Sequence, residues 1–165
     1  MRSRRDSGRI DLEAFESSLR GAMLSAGASV LDQLLRYDPP DSEHRLLPCP
    51  CGQQARFREM RSRHLLTALG PVQLTRPYYL CDHCHHGQFP ADIELDVAHT
   101  EFSPAVRRML ALVGQQAPFN DGRQQMHLLA GLHLTTKSVE RTAEDIGADI
   151  ATKEKRQVDA ALQLD

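Results

Sequence analysis

Four cysteines carry the clearest chemistry in this chain, and they come as two close pairs: Cys49-Pro50-Cys51-Gly52 and Cys81-Asp82-His83-Cys84, with 29 residues between the pairs. Zinc takes four soft or borderline ligands in a tetrahedron, and two turns that each offer two thiolates meet that need when a hairpin joins them. Gly52 beside a ligand lets the backbone turn tightly around an ion. The Cys-x-x-Cys half has the usual knuckle spacing, and the Cys-x-Cys half is tighter. A closed four-sulfur site leaves no position for substrate or water, so the expected cofactor is a structural Zn2+ held by Cys49, Cys51, Cys81 and Cys84. Metal binding would then supply folding energy on the order of 10 kcal/mol to a segment too small to build a sufficient core alone. The competing readings are four ordinary buried thiols, or a redox pair at Cys81 and Cys84. His83, His85 and His86 flank the second pair. One of them could replace a cysteine as ligand or touch a phosphate, or all three could be exposed loop residues.

A second cluster is cationic. Between residues 43 and 80 stand Arg45, Arg56, Arg58, Arg61, Arg63 and Arg76 against only Glu43 and Glu59. Every base there is arginine, whose planar fork suits phosphate and base edges. A solvated strand face is the plain alternative. A third pattern runs from Leu128 to Arg141. A helix ends at Gly131, a short apolar turn passes through Leu132 and Leu134, and Thr135 can cap a new helix with Val139 turned into the core. That is the layout of a helix-turn-helix, whose second helix offers its first turns to the major groove. Thr136, Lys137, Glu140 and Arg141 would face outward. The expected DNA contacts are therefore Arg56, Arg58, Arg61, Arg63 and Arg76 on the hairpin, and Thr136, Lys137, Glu140 and Arg141 on the helix.

These residues need elements to position them. Residues 1–10 are polar and basic and read as a disordered tail. Over 11–37, Leu12, Phe15, Leu19, Met23, Ala26, Val30 and Leu34 make one apolar helical stripe, and Tyr37-Asp38-Pro39-Pro40-Asp41 breaks it into a linker. Residues 46–92 alternate apolar and polar side chains around Gly70-Pro71, which reads as short antiparallel strands. Asp92 to Glu101 is acidic without Lys or Arg and reads as a solvated connector. Residues 102–163 return to helical spacing: Ser103-Pro104 starts one helix, Asn120 or Asp121 caps a second with Met126, Leu129 and Ala130 on its apolar face, and a third follows Thr135. The fold class expected is α+β: a small zinc-ribbon-like antiparallel β module, flanked by an N-terminal helix and a C-terminal helix-turn-helix region.

Several of these motifs together resemble a known group. Cys49-Pro50-Cys51-Gly52, the run from Leu69-Gly70-Pro71 through Arg76-Pro77-Tyr78-Tyr79-Leu80-Cys81 to Cys84, Gly87-Gln88-Phe89-Pro90-Ala91-Asp92, Ser103-Pro104-Ala105-Val106-Arg107-Arg108-Met109, and Leu129-Ala130-Gly131 followed by Val139-Glu140-Arg141 are similar to the N-terminal region of ISKra-type insertion-sequence transposases. The resemblance covers roughly residues 46–150, in the family's own order. It implies a DNA-recognition region that binds double-stranded DNA at transposon terminal repeats. In that family a catalytic domain with acidic metal ligands of the DDE kind follows. The chain ends at Asp165, about where that domain should begin. A truncated transposase is therefore expected, one that recognises DNA ends but is not an enzyme.

The totals set the remaining bounds. With 20 basic and 22 acidic side chains, overall charge says nothing about nucleic acid, and the local clusters must carry that argument. No apolar run approaches a membrane span, and Met1-Arg2-Ser3-Arg4-Arg5-Asp6 is followed by no apolar signal core. A cytoplasmic, nucleoid-associated protein is expected, and clustered thiols there favour metal over disulfide. No nucleophile–base pair, phosphate-cradling glycine loop or paired-carboxylate site for two metal ions accompanies them. The alternative function is a protein-interaction module in which the 11–36 stripe and the tail helix pair with another copy or with full-length transposase.

Overall fold

A computed structural model describes residues 11–162; the basic tail expected at 1–10 lies outside the described residues. The chain divides into two compact units, with the boundary between Glu101 and Phe102. Its class is α+β, with a four-stranded antiparallel sheet in the order β1-β2-β3-β4 and five α-helices among the described residues.

In the first unit, α1 (Leu12–Leu34) begins where the Asp11 carboxylate accepts the Ala14 amide at 3.3 Å. That satisfies one of the donors every helix start leaves open. The sheet consists of β1 (Leu46–Pro48), β2 (Gln54–Thr67), β3 (Gly70–Cys81) and β4 (Gly87–Gln88). Strands β1 and β4 are short, as expected, but β2 and β3 run to 14 and 12 residues and form one long hairpin. Two local devices hold it. At the tip, Ala68 and Leu69 form a two-residue turn in which the Thr67 hydroxyl donates to the Gly70 carbonyl at 2.8 Å and accepts the Leu69 amide at 3.2 Å. Gly70 has φ of 123°, which only glycine adopts without strain. Nearer the base, the register shifts between Phe57 and Glu59, so Arg58 is the extra residue of a β-bulge.

The hairpin is pinned from both flanks. Leaving α1, the backbone exchanges hydrogen bonds with Thr75: Tyr37 N–H donates to its carbonyl at 2.9 Å, and its N–H donates to Leu35 O at 3.0 Å. The Asp32 carboxylate also accepts the Gln73 amide at 2.6 Å. Ala28, Leu35, Leu65, Val72, Leu74 and Val97 close the core, with Leu31, Tyr37 and Leu95 packed against it. Val97 belongs to the acidic stretch expected to be a solvated connector. That stretch instead folds as α2 (Pro90–Glu94) and a loop, and Asp92 and Val97 are both buried. Apolar spacing was too sparse there to signal burial, because what holds Asp92 inside is charge.

In the second unit, α3 (Pro104–Gln116) starts as the sequence suggests, with Ser103 Oγ accepting the Val106 amide at 3.4 Å and proline at the first position. Helix α4 (Phe119–Gln125) has Pro118 at its N-cap position, two to three residues before the expected Asn120 or Asp121 cap, and widens into a π-helical turn over Met126–Ala130. Met126 is buried but Leu129 is exposed, because the wider turn rotates the end of the helix off its expected face. Gly131 ends the helix in the left-handed region, with φ of 71°. Helix α5 (Thr136–Leu162) follows, with Thr135 Oγ1 accepting the Ser138 amide at 3.0 Å. Val106, Leu110, Met126, Leu132 and Val139 are buried in this unit.

Candidate metal centre and its surroundings

The two cysteine pairs come together because the sheet register requires it. Cys49 follows β1 and Cys81 ends β3, and β2 lies between them: its Ala55 pairs with Leu47 on one side and with Cys81 on the other. The four Sγ atoms all lie within 4.8 Å of one another, with Cys49–Cys84 at 3.5 Å and Cys51–Cys81 at 3.7 Å. A tetrahedron with sulfur about 2.3 Å from its centre has edges of roughly 3.8 Å, so the group fits a single ion. No histidine joins the cluster among the described residues, and His83, His85 and His86 are exposed.

The backbone around the sulfurs is organised for thiolates. In the first turn Gly52 N–H donates to Cys49 O at 2.9 Å and Cys49 N–H to Gln53 O at 2.8 Å. In the second, His85 N–H donates to Cys81 O at 2.9 Å and Cys81 N–H to His86 O at 3.1 Å. The residue after the last cysteine of each pair, Gly52 and His85, has positive φ: 83° and 56°. The two turns therefore share one backbone plan despite their different spacing. Amides of Cys84 and His83 point at the Cys81 sulfur and, against its burial, bring its thiol down to about 6. At Cys49 the Cys51 amide acts the same way, but burial and the neighbouring sulfurs outweigh it and push the thiol up to about 12. Such a spread arises when clustered sulfurs share protons, and a cation at the centre would replace those protons outright.

Above the cysteines the arginines divide into two sets. Arg76 is only 5% exposed, and its Nε and Nη2 grip Asp92 at 2.8 and 3.0 Å while Nη1 donates to the Arg61 carbonyl at 2.9 Å. Arg63 donates to the same carboxylate at 3.1 Å, to Val97 O at 3.2 Å and to Thr100 O. These two were expected at a DNA surface, and the structure turns both inward as ties between the hairpin and the α2 segment. Sequence reasoning missed Asp92 as their partner. The available signal was two arginines on inward-alternating strand positions, which require a buried acid. Burial would raise the Asp92 carboxyl, but Arg76 and Arg63 outweigh it and hold it below the usual carboxylate range.

Arg56, Arg58 and Arg61 remain exposed along β2. Arg58, carried out by the bulge, pairs with Asp82 inside the second cysteine turn. Arg61 Nε donates to Glu59 at 2.7 Å, and its guanidinium sits 3.7 Å from the centre of the Tyr78 ring. Tyr78 lies 4.9 Å from Phe89, whose other neighbour is Arg76 at 4.1 Å. The result is a stack of Arg61, Tyr78, Phe89 and Arg76. In the second unit Lys137 and Arg141 are exposed on the first two turns of α5, Thr136 and Glu140 are half-buried, and Val139 between them is fully buried. No helix among the described residues is long and apolar enough to cross a membrane. Against known proteins, no protein-family model matches this chain and no curated protein matches it.

Proposed function

We propose that this protein is a zinc-dependent DNA-binding region of an insertion-sequence transposase of the ISKra type, which recognises the transposon's terminal repeats. The observation that carries the reading is the four-sulfur cluster at the base of an arginine-bearing hairpin. Its geometry suits Zn2+, and it fixes the strand that exposes Arg56, Arg58 and Arg61. The resemblance in motif order and the helix, five-residue turn and helix from α4 to α5 support the same reading. In it, the exposed face of α5 enters the major groove with Lys137 and Arg141 leading, and the hairpin arginines contact phosphates.

The test uses purified protein with zinc and a duplex carrying the terminal repeat. Lys137→Ala and Arg141→Ala should each weaken binding by about 1–3 kcal/mol, with the larger loss of sequence preference at whichever residue meets a base edge. Affinity should fall steeply with salt, and less steeply after replacement of Arg56 or Arg58. Unchanged binding by both α5 variants would reject α5 as the recognition helix. Protein that elutes without zinc, and whose thiols titrate freely without chelator, would reject the metal assignment.

A further inference from the structure

Helix α1 carries two apolar faces, and the first unit uses only one. Gly27, Ala28, Leu31 and Leu35 pack on the hairpin. The other face, roughly 120° round the helix at 100° per residue, consists of Leu12, Phe15, Leu19, Met23, Val30 and Leu34, which expose between 57% and 74% of their surface. The stripe spans the whole of α1, 23 residues. It repeats every eleven residues, from Leu12 to Met23 to Leu34, a spacing that keeps it on one side of a nearly straight helix.

We infer that this stripe is the interface of an antiparallel two-helix contact with a second copy of the chain. Three observations select that occupant. First, the stripe is self-complementary about Met23. With Met23 opposite its copy, Leu34 meets Leu12, Val30 meets Phe15 and Ala26 meets Leu19, each within one residue of register. Each pairing thus occurs twice, once in each direction, as an interface related by a two-fold axis requires. Second, the charges prefer this direction. A parallel pair sets Glu13 and Glu16 beside their own copies. The antiparallel pair separates each from its copy by about 20 Å or more, at 1.5 Å per residue, well beyond the screening length in physiological salt. Third, the area suffices. Six large side chains more than half exposed match or exceed the roughly 300–600 Å² apolar patch of an ordinary monomer. Counted on both copies, that reaches the ~1,000 Å² a specific contact needs. The inference stands apart from the DNA reading, since no residue of the hairpin surface or of α5 enters it.

Sedimentation equilibrium of the zinc-loaded full chain should give a dimer in the micromolar range, and Met23→Glu should give a monomer with unchanged circular dichroism and zinc content. Direction is tested with Leu12→Glu and Leu34→Lys. Each alone should weaken the dimer, and an equimolar mixture should restore it, because the carboxylate at one end then faces the ammonium of the other copy. A wild-type monomer at about 100 µM would overturn the inference. So would a dimer indifferent to Met23→Glu, which would put the interface elsewhere, or a mixture no more associated than its components, which would exclude the antiparallel pairing.

Discussion

At the scale of single residues, the first unit is organised around two sets of polar atoms, the four sulfurs, with Cys49 and Cys81 buried and Cys51 and Cys84 exposed, and the buried Asp92 carboxylate. Asp92 holds the greater risk for folding, since Arg76 and Arg63 both converge on it. Removing its charge leaves a guanidinium buried without a counter-ion, and breaking such a pair costs about 3–5 kcal/mol. Asp92→Asn is therefore expected to lower the unfolding free energy of the first unit by that amount, read as a lower urea midpoint in denaturation at neutral pH. Arg76→Lys should also destabilise it, because an ammonium cannot make the two-point contact. The pH dependence has a definite sign. The folded carboxyl titrates below its unfolded value, so its contribution is fully present above about pH 4 and is lost as pH falls through the lower folded value. Acid titration of wild type and of the Asn variant should converge at the low end. Cys49, Cys51, Cys81 and Cys84 were legible in the sequence because ligand spacing is local. Asp92 was not, because its partners are 16 and 29 residues away and only the hairpin register brings them to it.

At the scale of elements, boundaries set by local chemistry were readable and those set by packing were not. Ser103 with Pro104, Gly131 and Thr135 each mark a helix end where the structure has one. The length of the β2–β3 hairpin and the folding of the 92–101 stretch depend on contacts made elsewhere in the unit, so composition alone understated both. The stripe of α1 was legible as apolar, but which face meets the hairpin was not, since a helix with two apolar faces satisfies the same periodicity. The α3–α5 contact gives a prediction at this scale. A Cβ built at Gly114 would lie 2.5 Å from the Cβ of Ala143, so the two helices approach as closely as glycine permits. Gly114→Ala should therefore destabilise the second unit by about 1–2 kcal/mol, the overpacking cost exceeding the gain in helix propensity. Thermal melting of the variant followed at 222 nm tests it, and a raised midpoint would mean that α3 and α5 separate without cost.

At the scale of the whole molecule, the chain is two units that fold on different principles. The second has a hydrophobic interior of helices. The first places α1 and a small cluster of aliphatic residues at one end of a long hairpin and four sulfurs at the other. A chelator should therefore act on the first unit and leave the helical signal of α3, α4 and α5 largely in place. The hairpin itself runs 12 paired residues from Cys81 to Gly70, about 40 Å at 3.3 Å per residue, so its ends are fastened separately. Like a ribbon sewn at one hem and clipped at the other, it need not come undone all at once. If the clip is an ion, its loss should let amide protons exchange quickly at Ala55 and Cys81 while those at Leu65 and Leu74 stay slow.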